Sequence, residues 1–276
     1  MKVKIISKEN ATDKPVIEKL LDELRQYGIK VEGHHMDDEK PSLIFVIGGD
    51  GTMLNAVMEY QNLNLPFIGI NTGTLGFLMN ERADKVDKMI KKIISCDYEV
   101  VHYPLFEAKL HCTDGRKYVR NFICDLVIER KNMSLTEMEV IINGIALNYF
   151  AGDGYIVSSP VGSTAYSIWA GGAAIHHALH CIEIVPMHPN DSARNLPMKL
   201  PLILPDETEI NFRILNPRDR GIRAAVDGYE ISTSAPICEA SVKISEKNVT
   251  FWNTADYNYL HRLKKKIIDK ERIRKV

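Results

Sequence analysis

The sequence predicts an N-terminal α/β domain followed by an all-β domain. Two observations carry this prediction. Up to Asp97, fully apolar strand candidates alternate with helical patterns, which is typical of a parallel sheet covered by helices on both faces. From Tyr98 onward, β-rich runs separated by turn signals dominate. We therefore expect an α/β domain over residues 1–97 and an all-β domain over residues 98–257.

The elements of the first domain follow in order. Lys2–Ser7 is a short β run, and Thr12 or Asp13 offers an N-cap oxygen to a helix with Pro15 in its first turn. Apolar residues at helical spacing continue this helix, and a glycine suits its C′ position (Val16, Leu20, Leu24, Tyr27 and Gly28). Three further elements are a strand, a helix and a strand (Leu43–Ile47, Met53–Tyr60 and Phe67–Ile70). A third helix is marked by Val86, Met89, Ile90, Ile93 and Ile94.

Two turn signals introduce the all-β domain. Asn143-Gly144, within Glu139–Phe150, is the strongest short hairpin signal, and Asp114-Gly115 marks a second hairpin. One helix is expected after Gly162. The other β runs are Leu126–Glu129, Tyr155–Ser158, Ile182–Val185, Leu202–Leu204, Glu209–Leu215, Ile222–Val226, Val242–Ser245 and Val249–Trp252.

Composition limits the function classes. The chain of 276 residues has a formal net charge of −1, which gives no whole-chain argument for binding nucleic acid or membranes. Its apolar runs are shorter than a membrane span, and the N-terminus does not resemble a signal peptide. The five cysteines are scattered without CxxC spacing, so we expect a cytoplasmic protein without a disulfide framework or zinc site.

The last stretch, Tyr259–Val276, is helical and basic. We expect a solvated terminal helix that packs back on the first domain, with nucleic-acid contact as the alternative.

The segment "VIGGDGTMLNAV" (Val46–Val57) raises a question of charge. A strand that ends in glycines and leads into a helix presents backbone N–H groups to an anion, and glycine lets a phosphate approach closely. Asp50 in this position repels phosphate, which favours a role as a base or a metal ligand. The structural alternative is that Asp50 caps a helix that begins near Met53. The segment is neither a Walker loop nor a GxGxxG fingerprint.

Three further motifs follow in order: "GINTGTLGFL" (Gly69–Leu78), "GDGYIVSSPVGSTAYS" (Gly152–Ser167) and "AAVDGYEI" (Ala224–Ile231). With "GGDGT" (Gly48–Thr52), the chain resembles the NAD kinase family (ATP- or polyphosphate-dependent NAD kinases) over nearly its whole length. The resemblance implies transfer of the ATP γ-phosphoryl group to the 2′-hydroxyl of the adenosine ribose of NAD. It also implies a Rossmann-like domain, a C-terminal β-sandwich, and a homodimer or homotetramer.

The resemblance assigns roles by motif position. Asp50 would be the general base, and phosphate would be bound by Gly48, Gly49, Gly51, Thr52, Asp227 and Gly228. Asp50 and Gly51 would also contact NAD, together with the NxGxLGF loop (Asn71, Gly73, Leu75, Gly76 and Phe77), whose aromatic ring would lie against the adenine. The GSTAY turn would hold the adenine (Thr164, Ala165 and Tyr166), and Asp153 would lie near the nicotinamide. Without a Walker lysine, we expect Mg²⁺ to enter with ATP, and no protein ligands to a metal are identified.

Some positions depart from the family pattern. Cys124 stands where the family has Asn, although Asp125 keeps the acidic group that holds a ribose hydroxyl in the NAD site. Val161 replaces a hydroxyl-bearing residue, and the usual GGPIxHP becomes "GGAAIHHALHC". Two alternatives therefore stay open: a catalytically weak NAD-binding sensor, and another GGDG-type kinase that acts on lipids or sugars. NADP formation from ATP, Mg²⁺ and NAD distinguishes them.

Other side chains receive simpler interpretations. His176 and His180 have the i, i+4 spacing of a helical zinc site, but without a partner motif we expect histidines at a helix end or an interface. Trp169 is expected in the core. The apolar strand Ile222–Val226 is expected at an interface between subunits, since an exposed strand of this kind favours aggregation.

Overall fold

The structure, a computed structural model of the chain, describes residues 1–8, 10–32, 40–73, 76–191, 197–254 and 258–269. Leu75 of the NxGxLGF loop and the end of the basic segment (270–276) lie outside the described residues. The chain divides into two compact units: the first comprises Met1–Tyr103 and Asn248–Val276, and the second comprises Pro104–Lys247.

The helices and strands are numbered in chain order. The first unit begins with β1 (Lys2–Ser7), α1 (Lys14–Gln26), β2 (Lys30–Val31), β3 (Leu43–Gly48), α2 (Asp50–Tyr60), β4 (Phe67–Asn71), β5 (Glu81–Arg82) and α3 (Val86–Ile94). Then come β6 (Tyr98–Cys112), β7 (Lys117–Phe122), β8 (Asp125–Arg130), β9 (Thr136–Ile142), β10 (Ile145–Gly152), β11 (Gly154–Ser158) and α4 (Tyr166–Trp169). The chain continues with β12 (Cys181–Met187), β13 (Leu202–Pro205), β14 (Ile210–Leu215), β15 (Ile222–Val226), β16 (Tyr229–Glu230), β17 (Ile237–Thr254) and α5 (Tyr259–Leu263). One turn of π-helix follows (Lys264–Ile268).

The first unit is built on a parallel sheet. Strands β2, β1, β3 and β4 pair in that order, and β4 also pairs with β5 and with the last part of β17. Every residue of β3 and of β4 is buried, as the apolar runs predicted. Leu43, Phe45 and Ile47 pack in one cluster with residues of α1 and α3, while α2 also packs against β3. Gly48 lies opposite Asn71, so the loops after β3 and β4 begin side by side.

The second unit is a β-sandwich. One sheet has the order β10, β9, β14 and β17, with the β6–β7 hairpin beside β17, and the other has the order β13, β12, β11, β8, β15 and β16. Large side chains from both sheets fill the core between them, among them Phe150, Tyr155 and Phe212. The predicted hairpin turn is confirmed, since Asn143 (φ 48°) and Gly144 (φ 78°) both have positive φ between β9 and β10.

The division into compact units falls between residues 103 and 104 and between residues 247 and 248, whereas the domain limits expected from the sequence, 97/98 and 257/258, stay a prediction. Strands β6 and β17 each run from one unit into the other, so continuous strands rather than loops lie at the division. The two β runs predicted at Val242–Ser245 and Val249–Trp252 form the single 18-residue strand β17. The residues between them, 246–248, are three consecutive polar residues that are all exposed, and the strand continues through them.

Three smaller expectations are wrong. Trp169 is 61% exposed rather than in the core, because α4 has only four residues and ends at the surface. His176 and His180 lie in a segment of turns and loops, so the expected position at a helix end is wrong, while the interface alternative stays a prediction. Strand β15 lies between β8 and β16 with Ile222, Ala224 and Val226 buried, so it is not an exposed strand awaiting a partner.

No helix within the described part of the chain is long and apolar enough to cross a membrane.

Candidate active site

The glycine loop after β3 is held in one conformation by its first glycine. Gly48 has φ 149°, and a Cβ there would lie 2.4 Å from Thr52 Oγ1, so a side chain is not tolerated. Gly49 is the N-cap of α2, and its carbonyl accepts hydrogen bonds from the N–H groups of Thr52 and Met53. Helix α2 therefore begins at Asp50, three residues earlier than predicted, and the proposed capping role of Asp50 is wrong.

The Asp50 carboxylate instead contacts the loop that follows β4. Its two oxygens accept hydrogen bonds from the Phe77 N–H (2.9 Å) and the Leu78 N–H (3.0 Å). Lys266 Nζ lies 3.2 Å from Oδ2, and the Asp50 side chain keeps an exposed fraction of 29%. A Cβ on Gly76 would lie 1.8 Å from Asp50 Oδ1, so the loop approaches this closely only because residue 76 is glycine. Asp50 is thus oriented by three donors and still accessible.

Two buried side chains fix this second loop. Arg262 of α5, only 3% exposed, donates hydrogen bonds to the carbonyls of Gly76 (2.6 Å), Met79 and Asn80 (3.0 Å). The Asn80 side chain accepts from the Gly69 N–H and donates to the Trp252 carbonyl, each at 2.6 Å. The basic C-terminal helix is therefore not simply solvated. Sequence reasoning missed Arg262, Asn80 and Lys266, because their partners are distant in the chain.

Asn71 and Phe77 lie at the same end of the first unit's sheet. Asn71 Nδ2 donates to the Gly73 carbonyl (2.7 Å), while Asn71 Oδ1 is buried and has no hydrogen-bond partner among the described residues. A buried acceptor without a donor is costly, which marks it as a position for a ligand or water. The Phe77 ring is 5% exposed and lies 5.9 Å from the Tyr259 ring and 5.1 Å from Lys266 Nζ. Little of the ring is left for the expected adenine contact.

The second unit contains a different cluster, centred on Asp227. Its carboxylate accepts hydrogen bonds from three successive N–H groups, those of Ile123 (3.0 Å), Cys124 (2.8 Å) and Asp125 (3.2 Å). Asp227 has φ 50°, and Gly228 follows with φ 84° in the same turn. Burial raises the pKa of Asp227 above its ordinary value. Burial, and then the negative charge of Asp227, raise the pKa of Asp125 to about 7.

The GSTAY turn adjoins this cluster. The Ser159 N–H donates to the Cys124 carbonyl (2.9 Å), and Ser159 Oγ donates to the Ile123 carbonyl (2.5 Å). A Cβ on Gly162 would lie 2.2 Å from the Cys124 oxygen, so glycine is required there. Thr164 follows and is buried, whereas Ala165 and Tyr166 are exposed. The structure therefore brings together Cys124, Asp125, Thr164, Asp227 and Gly228, with Val161 buried in the same turn.

Asp153 is separated from this cluster. In the pairing of β11 with β8, Ser158 lies opposite Asp125 and Gly154 lies opposite Glu129. Four strand residues at about 3.3 Å each put Asp153 roughly 13 Å or more from the Asp125 end. Asp153 instead makes an ion pair with Arg130 Nε (2.8 Å) and lies 3.1 Å from His188 Nδ1.

In the part of the chain that the structure describes, no group of three or more His, Cys, Asp or Glu side chains is arranged to hold a metal ion. His180 Nδ1 lies 3.3 Å from Asp206 Oδ2, which is a single contact between two side chains. None of the five cysteines forms a disulfide.

Family models match both units of the chain. Residues 2–98 match the ATP-NAD kinase N-terminal domain, and residues 125–254 match the ATP-NAD kinase C-terminal domain. The NAD kinase of Legionella pneumophila (strain Corby) is 30% identical over 230 residues, which cover 83% of this chain and 76% of that protein. The NAD kinase of Finegoldia magna is 34% identical over 192 residues, or 69% of this chain and 70% of that protein.

Two solved structures share the fold. A yeast NADH kinase complexed with NADH superposes with a TM-score of 0.81 at 21% identity, covering 96% of this chain and 86% of that chain. An NAD kinase from Archaeoglobus fulgidus in complex with ATP superposes with a TM-score of 0.75 at 20% identity, covering 96% and 99%. At these identities the likeness establishes the fold alone.

Proposed function

The chain belongs to the NAD kinase family, and we propose that it transfers the γ-phosphoryl group of ATP to the 2′-hydroxyl of the adenosine ribose of NAD, with Asp50 as the general base. Phosphorylation of NAD to NADP is the activity of this family and of this chain. The observation that carries the assignment of the base is the Asp50 carboxylate itself. It is oriented by two amide donors and one ammonium, yet 29% of the side chain is exposed.

The reaction asks little covalent chemistry of the protein. The 2′-oxygen of the ribose attacks the γ-phosphorus, and Asp50 accepts the proton of the hydroxyl. The bond between the γ-phosphorus and the oxygen that bridges it to the β-phosphate breaks, and ADP leaves with that oxygen. Catalysis then depends on alignment of the two substrates and on stabilisation of the phosphoryl charge. A carboxylate whose two oxygens are held by the Phe77 and Leu78 amides suits this task, because its direction is fixed before substrates bind.

Phosphate contacts are proposed for the open glycines of the two loops. A Cβ at Gly49, Gly51 or Gly73 would meet no described residue within 4 Å, so glycine is not needed for packing there and leaves room for a ligand. The N-terminus of the 11-residue helix α2 adds N–H donors and a favourable dipole. Thr52 is 6% exposed and lies against Gly48, so we assign it to support of the loop rather than to direct binding.

The cluster of the second unit is proposed to bind NAD. Asp125 offers a carboxyl group to a ribose hydroxyl, and Thr164, Ala165 and Tyr166 lie on the adjoining turn. Asp227 is already committed to three main-chain amides, so we propose that it anchors the cluster instead of binding phosphate. Gly228 is exposed and open beside it.

Mg²⁺ is proposed to enter as MgATP, a substrate. Mg²⁺ usually keeps several waters and is held by substrate phosphates and one or two protein oxygens, so a side-chain cage is not needed. The buried Asn71 Oδ1, which has no hydrogen-bond partner in the described part of the chain, is an oxygen of the type that such an ion accepts. The ion would neutralise charge on the triphosphate.

A homo-oligomer is proposed through strand β10. This strand ends its sheet within the described residues, and its apolar side chains Ile145 (70%), Leu147 (47%) and Tyr149 (42%) are exposed. An exposed apolar edge strand favours pairing with another chain, and closed symmetry is the usual solution. A cytoplasmic location stays a prediction.

The direct test is NADP formation from ATP, Mg²⁺ and NAD by the purified protein and by Asp50→Asn. We expect the variant to lose about 10²–10⁴-fold in kcat, the usual contribution of general base catalysis, while it still binds ATP. Comparable turnover in Asp50→Asn would remove Asp50 from this role. A sensor without catalysis would bind NAD and form no NADP in either protein.

A further inference from the structure

The glycine loop has an unresolved charge problem. The proposed base carries a negative charge at the N-terminus of a helix. The triphosphate, which is also negative, must approach the same place, and like charges brought close together repel each other. Residues 48–52 (GGDGT) include no basic side chain. Mg²⁺ that enters with ATP would offset charge on the triphosphate, whereas a cation of the protein that balances Asp50 itself has to come from another segment of the chain.

Lys266 is a cation at the required place. Its Nζ lies 3.2 Å from Asp50 Oδ2 and 5.1 Å from the centre of the Phe77 ring. Its side chain is 27% exposed, whereas the neighbouring Lys264 and Lys265 are exposed to solvent. The ring covers one side of the ammonium, which reduces the freedom of the long side chain and favours a lasting contact with Asp50.

The segment that carries Lys266 is held by other residues. Arg262, four positions earlier, donates to three carbonyls of the loop from Gly76 to Asn80. The Asn258 side chain caps α5 by accepting from the His261 N–H (2.9 Å), and Tyr259 packs against Phe77. The position of Lys266 thus does not depend on its own ion pair, so its charge can be removed while the segment stays docked.

We propose that Lys266 is a positioning residue for phosphoryl transfer, which holds Asp50 in place and balances its negative charge so that the γ-phosphoryl group can approach. This proposal rests on Asp50 as the base. An isolated ion pair on a protein surface contributes little to stability. We therefore expect loss of the Lys266 charge to lower turnover rather than the free energy of unfolding. A Walker lysine binds phosphate from within its own loop, whereas here the ammonium comes from the far end of the chain, 216 residues from Asp50.

The test compares three variants of the full chain in the NADP assay. Lys266→Met removes the charge and keeps the length of the side chain, Lys266→Arg restores a positive charge, and Lys264→Met is the matched control on the same turn. We expect Lys266→Met to lower kcat about 10–100-fold, which is about 1.4–2.7 kcal/mol in the barrier, with the KM for NAD within about twofold. We expect Lys266→Arg to recover most of this loss and Lys264→Met to resemble the unmodified protein.

Two further measurements separate this role from a structural one. The unfolding temperature of Lys266→Met should stay within about 2 °C of the unmodified protein, since Arg262 still holds the segment. In the Asp50→Asn background, Lys266→Met should cause little additional loss, because residues that act as a unit are not additive. An additive loss would mean that Lys266 does not act through Asp50.

The proposal is overturned if kcat of Lys266→Met is within about twofold of the unmodified value, or if Lys266→Arg is as slow as Lys266→Met. These results are distinguishable from failure of the proposed function. An inactive Asp50→Asn with an unaffected Lys266→Met removes only Lys266. Full turnover in Asp50→Asn removes the base and, with it, the group through which Lys266 acts.

Discussion

Asp50 in the first unit and Asp227 in the second both accept hydrogen bonds from successive main-chain amides, but their surroundings differ. The Asp50 side chain is 29% exposed and contacts the ammonium of Lys266. Asp227 is buried and has another carboxyl group, that of Asp125, as its charged neighbour. A carboxylate that accepts only from main-chain amides and is buried, like Asp227, holds the surrounding backbone in place. Asp50 differs because it is accessible and has a cation beside it, and these two properties suit the role of general base that we propose for it.

The largest expected effect tests the orientation of Asp50. Gly76→Ala places a Cβ 1.8 Å from the present position of Asp50 Oδ1, and the backbone at Gly76 lies outside the left-handed region, so this clash is the main consequence. The carboxylate must leave the amides of Phe77 and Leu78, and a displacement of about 1 Å can cost about 10²-fold in rate. We expect a loss of kcat of at least that size in the NADP assay.

Gly73→Ala tests whether the loop tolerates a methyl group, and it is compared by unfolding temperature rather than turnover because Gly73 is a proposed phosphate contact. Among the described residues a Cβ on Gly73 would meet nothing within 4 Å, so Gly73→Ala should keep the unfolding temperature of the unmodified protein, and Gly76→Ala should be measured beside it. The comparison fails if Gly76→Ala retains normal turnover, because the contact between the loop and Asp50 would then be irrelevant to catalysis.

A second prediction concerns the buried pair in the β-sandwich. The pKa of Asp125 is raised to about 7, from an ordinary value of 3.8, because of burial and the charge of Asp227. Between pH 4 and pH 7 the folded state holds a proton that the unfolded state releases. The free energy of unfolding therefore falls as pH rises through this window, at up to about 1.4 kcal/mol per pH unit.

Asp125→Asn removes this titration. The variant should match the unmodified protein near pH 4 and become relatively more stable towards pH 8, by about 1–4 kcal/mol, in urea unfolding followed by circular dichroism. Weaker NAD binding should accompany the gain in stability, if the carboxylate accepts a ribose hydroxyl. A stability difference that does not change with pH would contradict the raised pKa.

The contrast between the two clusters also marks the limit of sequence reasoning. Apolar runs such as Leu43–Ile47 and the Asn143-Gly144 turn predicted strands and a hairpin because their information is local. For β17 the sequence predicts two runs instead of one strand, because residues 246–248 are consecutive polar residues, a pattern typical of a loop. The contacts of Asp50 with Phe77 and Lys266 span 27 and 216 residues, and a single sequence contains no signal for such pairs.

The resemblance located motifs but did not separate binding from support. Asp50 and Asp227 each come after a strand and directly before a glycine. From the resemblance we expected Asp50 to act as the base and Asp227 to contact phosphate. Asp227 differs from the accessible Asp50 in that it is buried and accepts hydrogen bonds from three main-chain amides. Burial and these hydrogen bonds arise only in the folded chain, so the motifs alone do not predict them.

The smallest expected effect concerns Cys124, at the position where the motif resemblance leads us to expect Asn. Its main-chain N–H and carbonyl are already used, by Asp227 and by Ser159, so a substitution changes only the side chain. A thiol is a weak hydrogen-bond group, whereas an amide both donates and accepts. We expect Cys124→Asn to lower the KM for NAD about two- to tenfold, the worth of one hydrogen bond, without a change in the KM for ATP.

Cys96→Asn is the matched control, because Cys96 is exposed and has φ 57°, a conformation that Asn tolerates. It should leave both constants unchanged. An unchanged or higher KM for NAD in Cys124→Asn would show that the pocket has adapted to the thiol, and that the cluster around Asp227 sets the shape of the site more strongly than the side chain at position 124.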